Sequence, residues 1–150
     1  MLEGKIVFFD LDGTLSEYRF NDRVGGGNGF SQPWSELLFG DAYLRARPLK
    51  TMINLTKALD PSKVYVLGAI KTNNEINQKY EWLSKNYPHI KRENIIFVCG
   101  GDKKVLVMEA FAEKNALARE NMVLIDDTHA TLRQVETAGF IAYHPTSFVE

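Results

Sequence analysis

The chain opens with a short apolar run, Ile6-Val-Phe-Phe9, that stops at a polar turn sequence. Runs of the same kind return at 64–67, 94–98 and 122–125. Each is brief, rich in β-branched and aromatic residues, and reads as a strand. They are continuously apolar rather than alternating, as strands covered on both faces are. Residues 140–143 form a weaker candidate for a last strand. Between these runs apolar residues recur at spacings of three and four, which predicts helices over 48–59, 74–86, 103–117 and 131–137. Pro48 suits a first helical turn and Gly139 a helix stop. Strands alternating with helices of this length predict an α/β fold, a doubly wound and mostly parallel sheet with helices on both faces.

One segment breaks the alternation. Residues 13–48 form a long first connection that passes through Gly25-Gly-Gly-Asn-Gly29 and on to Trp34-Ser-Glu-Leu-Leu-Phe-Gly40. Such a glycine density predicts a loop, because each glycine loses much backbone freedom on being ordered. It is either a surface excursion or a small cap, and its departure immediately after a pair of aspartates favours the cap. We read 1–150 as a single domain with 13–48 as a minimal cap or lid.

Composition narrows the function classes. Apolar residues make up 45% and charged residues 25% of the 150, an ordinary globular balance. The 18 basic and 19 acidic side chains leave a net charge of -1, which argues against a nucleic-acid or membrane partner. Cys99 is the single cysteine, so no disulfide forms within the chain and a cytoplasmic setting is expected. No apolar stretch is long enough to span a bilayer. Oligomeric state is left open.

The chemistry lies at the ends of the strands. Asp10 and Asp12 directly follow the first apolar run, and Asp126-Asp127 directly follows the run at 122–125. In a doubly wound sheet, ligands bind outside the carboxyl ends of the strands, so four carboxylates converge if these two strands are central neighbours. That cluster is costly without a hard divalent cation, and all-oxygen ligation favours Mg2+ over zinc. Turn and cap roles are the ordinary reading of any one aspartate pair, but two pairs at two strand ends make it the weaker one. Lys103, after the strand at 94–98, supplies a positive charge for a phosphate oxygen, with Lys104 beside it as an ordinary solvated lysine. Gly13 gives the chain tight passage after Asp12, and Thr14 offers a hydroxyl or a cap.

These residues resemble the motifs of the haloacid dehalogenase-like phosphohydrolase superfamily. Asp10-Leu-Asp-Gly-Thr-Leu15 is similar to the first motif, Asp102-Lys103 to the third-motif lysine, and Leu124-Ile-Asp-Asp127 to the acidic fourth motif. The resemblance implies a two-step hydrolysis with Asp10 as nucleophile and Asp12 as acid and base. It implies Mg2+ held by Asp10, the Asp12 carbonyl and Asp127, with Asp126 in support and Lys103 bridging nucleophile and phosphate. Gly13, Thr14, Gly68 and Ala69 fall where phosphate-binding groups are expected.

Within the superfamily the 5'(3')-deoxyribonucleotidases look most similar, through Ile70-Lys71, Lys79-Tyr-Glu-Trp-Leu83, Gly101-Asp-Lys103 and Leu124-Ile-Asp-Asp127. Tyr18, Phe30, Trp34 and Phe39 then either stack on a base or pack the insert. One departure stands out. The second motif of the family ends its strand with Thr or Ser, whereas this chain has Leu67-Gly68-Ala69. The expected activity is a magnesium-dependent phosphatase of a small phosphorylated metabolite, a nucleoside monophosphate among the candidates. The alternatives are a weakened phosphate-ligand binding or regulatory protein, and a phosphatase of a protein or polynucleotide end.

Overall fold

The structure, a computed structural model, describes residues 1–17, 44 and 46–149. The glycine run 25–29 and the aromatics Tyr18, Phe30, Trp34 and Phe39 lie outside the described residues. Five parallel strands, β1 (Ile6–Phe9), β2 (Val64–Ala69), β3 (Ile95–Val98), β4 (Met122–Ile125) and β5 (Ile141–Tyr143), form a sheet in the order β3-β2-β1-β4-β5. Among the described residues the α-helices are α1 (Lys50–Ala58), α2 (Asn74–Asn86), α3 (Lys104–Lys114) and α4 (His129–Thr137). This is the expected doubly wound parallel α/β sheet.

Strand alternation divides the core in two. Val7, Phe9, Val64, Val66, Val123 and Ile125 face a cluster with Met52 of α1 and Trp82 and Leu83 of α2. Phe8, Leu67, Met122 and Leu124 point the other way, against Met108 and Ala112 of α3 and Val135 of α4. A sheet buried on both faces needs apolar residues at every position, which is why the strands read as unbroken runs.

Element ends moved where local backbone chemistry intervened. β2 runs on to Ala69, two residues past the apolar run. α3 stops at Lys114 rather than at 117. Ala116 takes φ 51, and the Leu117 N–H donates back to the Ala112 carbonyl at 3.0 Å, closing the helix with a left-handed cap. α4 begins at His129, two residues earlier than its apolar spacing suggests.

The insert returns to where it leaves. Ser16 bridges to both Asp12 and Pro48, the Glu17 N–H donates to the Arg47 carbonyl at 2.8 Å, and the Leu49 N–H donates to the Leu15 carbonyl at 3.0 Å. Both ends of the 13–48 segment are therefore tied together beside Asp12.

Candidate active site

β1 lies between β2 and β4, so the chain winds outward on one side of β1 and then crosses to the other. The crevice this reversal opens is at the carboxyl ends of the central strands. Asp10 is the first residue after β1, Asp126 and Asp127 follow β4, and Ala69 ends β2. Sheet pairing continues into the site: the Asp10 N–H donates to the Ile125 carbonyl at 2.9 Å and the Asp126 N–H to that of Tyr143 at 3.1 Å. The carboxylates thus sit on a fixed backbone. A cleft of about 270 Å³ is lined by Asp10, Asp12, Ala69, Gly101, Lys104, Asp127, Thr128 and Thr131.

The cation of this cluster is Lys104. Its buried ammonium donates to Asp10 Oδ1 at 2.6 Å and to Asp126 Oδ2 at 2.8 Å. Burial opposes its charge, but the two carboxylates outweigh burial and hold its pKa above the usual lysine value. Asp126 is fully engaged, since its Oδ1 also accepts the Thr128 N–H at 2.9 Å. It buttresses the lysine and the turn into α4, in keeping with a supporting role.

Lys103 does not occupy this position. It is exposed and closes a turn of 3-10 helix, Gly101–Lys103, with its N–H on the Gly100 carbonyl at 3.1 Å. α3 begins one residue later, and its buried face runs through Lys104, Met108 and Ala112, each four residues from the last. That spacing keeps residues on one side of a helix, so Lys104 faces the sheet edge and Lys103 faces water.

The remaining expected residues gather unevenly. Asp12 lines the cleft with its side chain 24% exposed. Gly13 has φ 82, a left-handed conformation that accounts for a glycine there. The Thr14 hydroxyl is buried and donates to Asp10 Oδ2 at 3.3 Å, so in this geometry it orients the carboxylate. Ala69 lines the cleft, but Gly68 is buried opposite Phe97. A Cβ at Gly68 would sit 3.2 Å from the Phe97 ring and 3.6 Å from Leu11. Of the three positions 67–69 where the second motif falls, Gly68 is therefore bordered by an aromatic ring, and Ala69 at the strand end reaches the cleft without a hydroxyl. One buried charge was not expected in the site at all: Lys79 of α2 donates to Asp12 Oδ2 at 3.1 Å.

The donor set suits magnesium. Asp10, Asp126 and Asp127 each bring a carboxylate oxygen within 4.8 Å of the others. Asp10 and Asp127 line the cleft while Asp126 is turned to Lys104 and Thr128, so Asp10 and Asp127 are the side chains that would hold the ion. Burial pushes both their pKa values up, that of Asp10 well above the ordinary carboxylate range, and the Asp126 charge adds to it. A carboxyl with a raised folded pKa binds its proton more tightly in the native state. Metal-free stability should then fall as pH rises through the window between the ordinary and the raised value. Magnesium, which competes with those protons, should raise the melting temperature more at pH 7.5 than at pH 5. At ten times its Kd the gain is about 1.4 kcal/mol, or about 3–6 °C. Thermal melts with and without magnesium at both pH values check this, and a larger gain at pH 5 would contradict it.

No family model and no curated protein matches the sequence. Solved structures do share the fold. A haloacid dehalogenase-like family hydrolase from Streptococcus pneumoniae superposes with a TM-score of 0.60 at 16% identity, over 95% of this chain and 84% of its own. D,D-heptose 1,7-bisphosphate phosphatase from Burkholderia thailandensis gives 0.54 at 14% identity, over 91% and 74%. A haloacid dehalogenase family enzyme from Bacteroides thetaiotaomicron, solved with magnesium, gives 0.52 at 16% identity, over 95% and 94%. The chain has the haloacid dehalogenase-like fold. At the ligand-binding edge of that fold it carries an aspartate cluster that could hold a divalent metal ion. Among the described residues, no helix is long and apolar enough to cross a membrane.

Proposed function

We propose that this protein is a magnesium-dependent phosphomonoester hydrolase of small phosphorylated metabolites, working through an aspartyl phosphate. The observation that carries this reading is Asp10, a buried carboxylate held by Lys104 at the head of a cleft shared with Asp12 and Asp127. Magnesium on Asp10, Asp127 and the Asp12 carbonyl would draw charge from the phosphoryl oxygens.

In the first step an Asp10 oxygen attacks phosphorus and the bond to the leaving oxygen breaks. Asp12 gives that oxygen its proton, so alcohol departs and Asp10 carries the phosphoryl group. In the second step water attacks the same phosphorus and passes a proton to Asp12. The phosphorus–Asp10 bond breaks, returning the carboxylate and releasing phosphate. Lys104 meets the negative charge on the nucleophile and the phosphoryl oxygens throughout. Thr14 keeps the Asp10 carboxylate in one orientation.

The resemblance at Ile70-Lys71 and Lys79–Leu83 favours a nucleoside monophosphate among the metabolites. The insert 13–48, whose ends meet beside Asp12, is then a minimal cap over the bound group. The lone cysteine fits a cytoplasmic enzyme. A panel of nucleoside monophosphates, sugar phosphates and an aryl phosphate, assayed for phosphate release with and without magnesium, tests the proposal. Release that requires magnesium is expected from at least one class. No release from any member would overturn it.

A second reading has its own observation. β2 ends in Gly68-Ala69, so the phosphate has no hydroxyl from the end of that strand, which weakens transition-state stabilisation. A phosphate-ligand binding protein would then bind panel members tightly by calorimetry and turn none of them over.

A further inference from the structure

Lys79 is a buried charge that the proposed chemistry does not use. It lies in the middle of α2, 2% exposed, where a lysine is costly unless its charge is fully met. Three acceptors surround its ammonium: Asp12 Oδ2 at 3.1 Å, the Ala69 carbonyl at 3.0 Å and Glu75 Oε1 at 3.4 Å. Glu75 is itself buried and anchored, its Oε2 accepting the backbone N–H groups of Lys71 at 2.7 Å and Thr72 at 2.8 Å. The loop after β2, the first turns of α2 and the Asp12 carboxylate are joined through one nitrogen.

The ammonium donates to Asp12 and to the Ala69 carbonyl and pairs with Glu75, all of them groups of the protein itself. Lys79 is therefore placed to act on Asp12 rather than to grip phosphate. We propose that Lys79, braced by Glu75, is the positioning residue for the acid–base carboxylate. It fixes Asp12 in the rotamer that faces the cleft, and it meets the charge that appears on Asp12 when the proton leaves for the departing oxygen. The site then has two lysines with separate duties, Lys104 at the nucleophile and Lys79 at the acid. This assignment rests on the phosphatase reading above.

Leaving groups separate this role from a merely structural one. An alkyl phosphate needs its departing oxygen protonated, whereas p-nitrophenyl phosphate expels p-nitrophenolate, a stable anion, with little help. The value of kcat/KM covers only the step that forms the aspartyl phosphate. For Lys79→Met it should fall about 100-fold on the alkyl substrate and less than about 5-fold on the aryl one. Lys79→Arg should recover part of the alkyl activity. Glu75→Gln, which keeps the ammonium but loosens its brace, should show the same bias at smaller amplitude and serves if Lys79→Met does not fold. Equal losses on the two substrates, or none on the alkyl one, would overturn the assignment while leaving the phosphatase reading in place. A wild-type protein inactive on both overturns the two together.

Discussion

Phosphate release by the Asp10→Asn protein is expected to fall at least about 10⁴-fold, to background, with the fold intact. The amide keeps the shape of the carboxylate but has neither the charge to bind magnesium nor a nucleophilic oxygen, and removing a nucleophile commonly costs this much or more. Stability should move the other way. Burial raises the Asp10 pKa well above the ordinary range, so holding its ionised form in this site costs stability that Lys104 offsets only in part. A neutral isostere relieves that strain, and the variant should melt at or above the wild-type temperature without magnesium. Two measurements check the pair of effects. Acid-quenched wild type incubated with radiolabelled substrate should carry label that hydroxylamine removes, as an acyl phosphate does, and Asp10→Asn should carry none. Calorimetric melts should place the variant no lower than wild type. Equal turnover by both proteins would refute the nucleophile.

The sheet was legible because each strand is covered on two sides and so written as an unbroken apolar run. β1 and β4 matched to the residue. Asp10, Asp12 and the Asp126-Asp127 pair were legible for a related reason, since charge placed directly after such a run marks the ligand edge of a doubly wound sheet. Helix ends were harder. Nothing in the apolar spacing of α3 announces that Ala116 will turn left-handed and stop it.

The burial of Lys79 and Lys104 is not legible in composition because lysine is ordinarily a surface residue. A signal for Lys104 was nonetheless present. Stepping back by four from Ala112 to Met108 arrives at Lys104, whereas the apolar Leu106 is 57% exposed. Lys79 sits on the same side of α2 as Glu75, four residues before it, and Leu83, four after it, both buried. A charge in phase with a buried stripe is a stronger hint of a site than a charge near a motif. Gly68 shows the limit of motif reading from the other side, because only the structure reveals Phe97 bordering that position.

The neighbouring lysines 103 and 104 offer the sharpest contrast of all. Lys104→Met should lower kcat/KM about 10³-fold, since the nucleophile and the phosphoryl oxygens lose their fixed positive charge. It should also destabilise the fold by about 3–5 kcal/mol, because Asp10 and Asp126 are left buried without their cation. Lys103→Met, one residue away on the exposed turn, should change kcat/KM less than about 2-fold and stability by less than about 0.5 kcal/mol. Urea unfolding and turnover at 10 °C in saturating magnesium measure both quantities while the weaker variant is still folded. The stability loss of Lys104→Met should shrink as pH falls, because protonating Asp10 removes one of the two uncompensated charges. Asp10→Asn combined with Lys104→Met should likewise be more stable than Lys104→Met alone, as the coupling of contacting buried charges requires. If Lys103→Met were the variant that lost turnover, α3 would have to begin one residue earlier, and its buried face of Lys104, Met108 and Ala112 would be out of phase with the core.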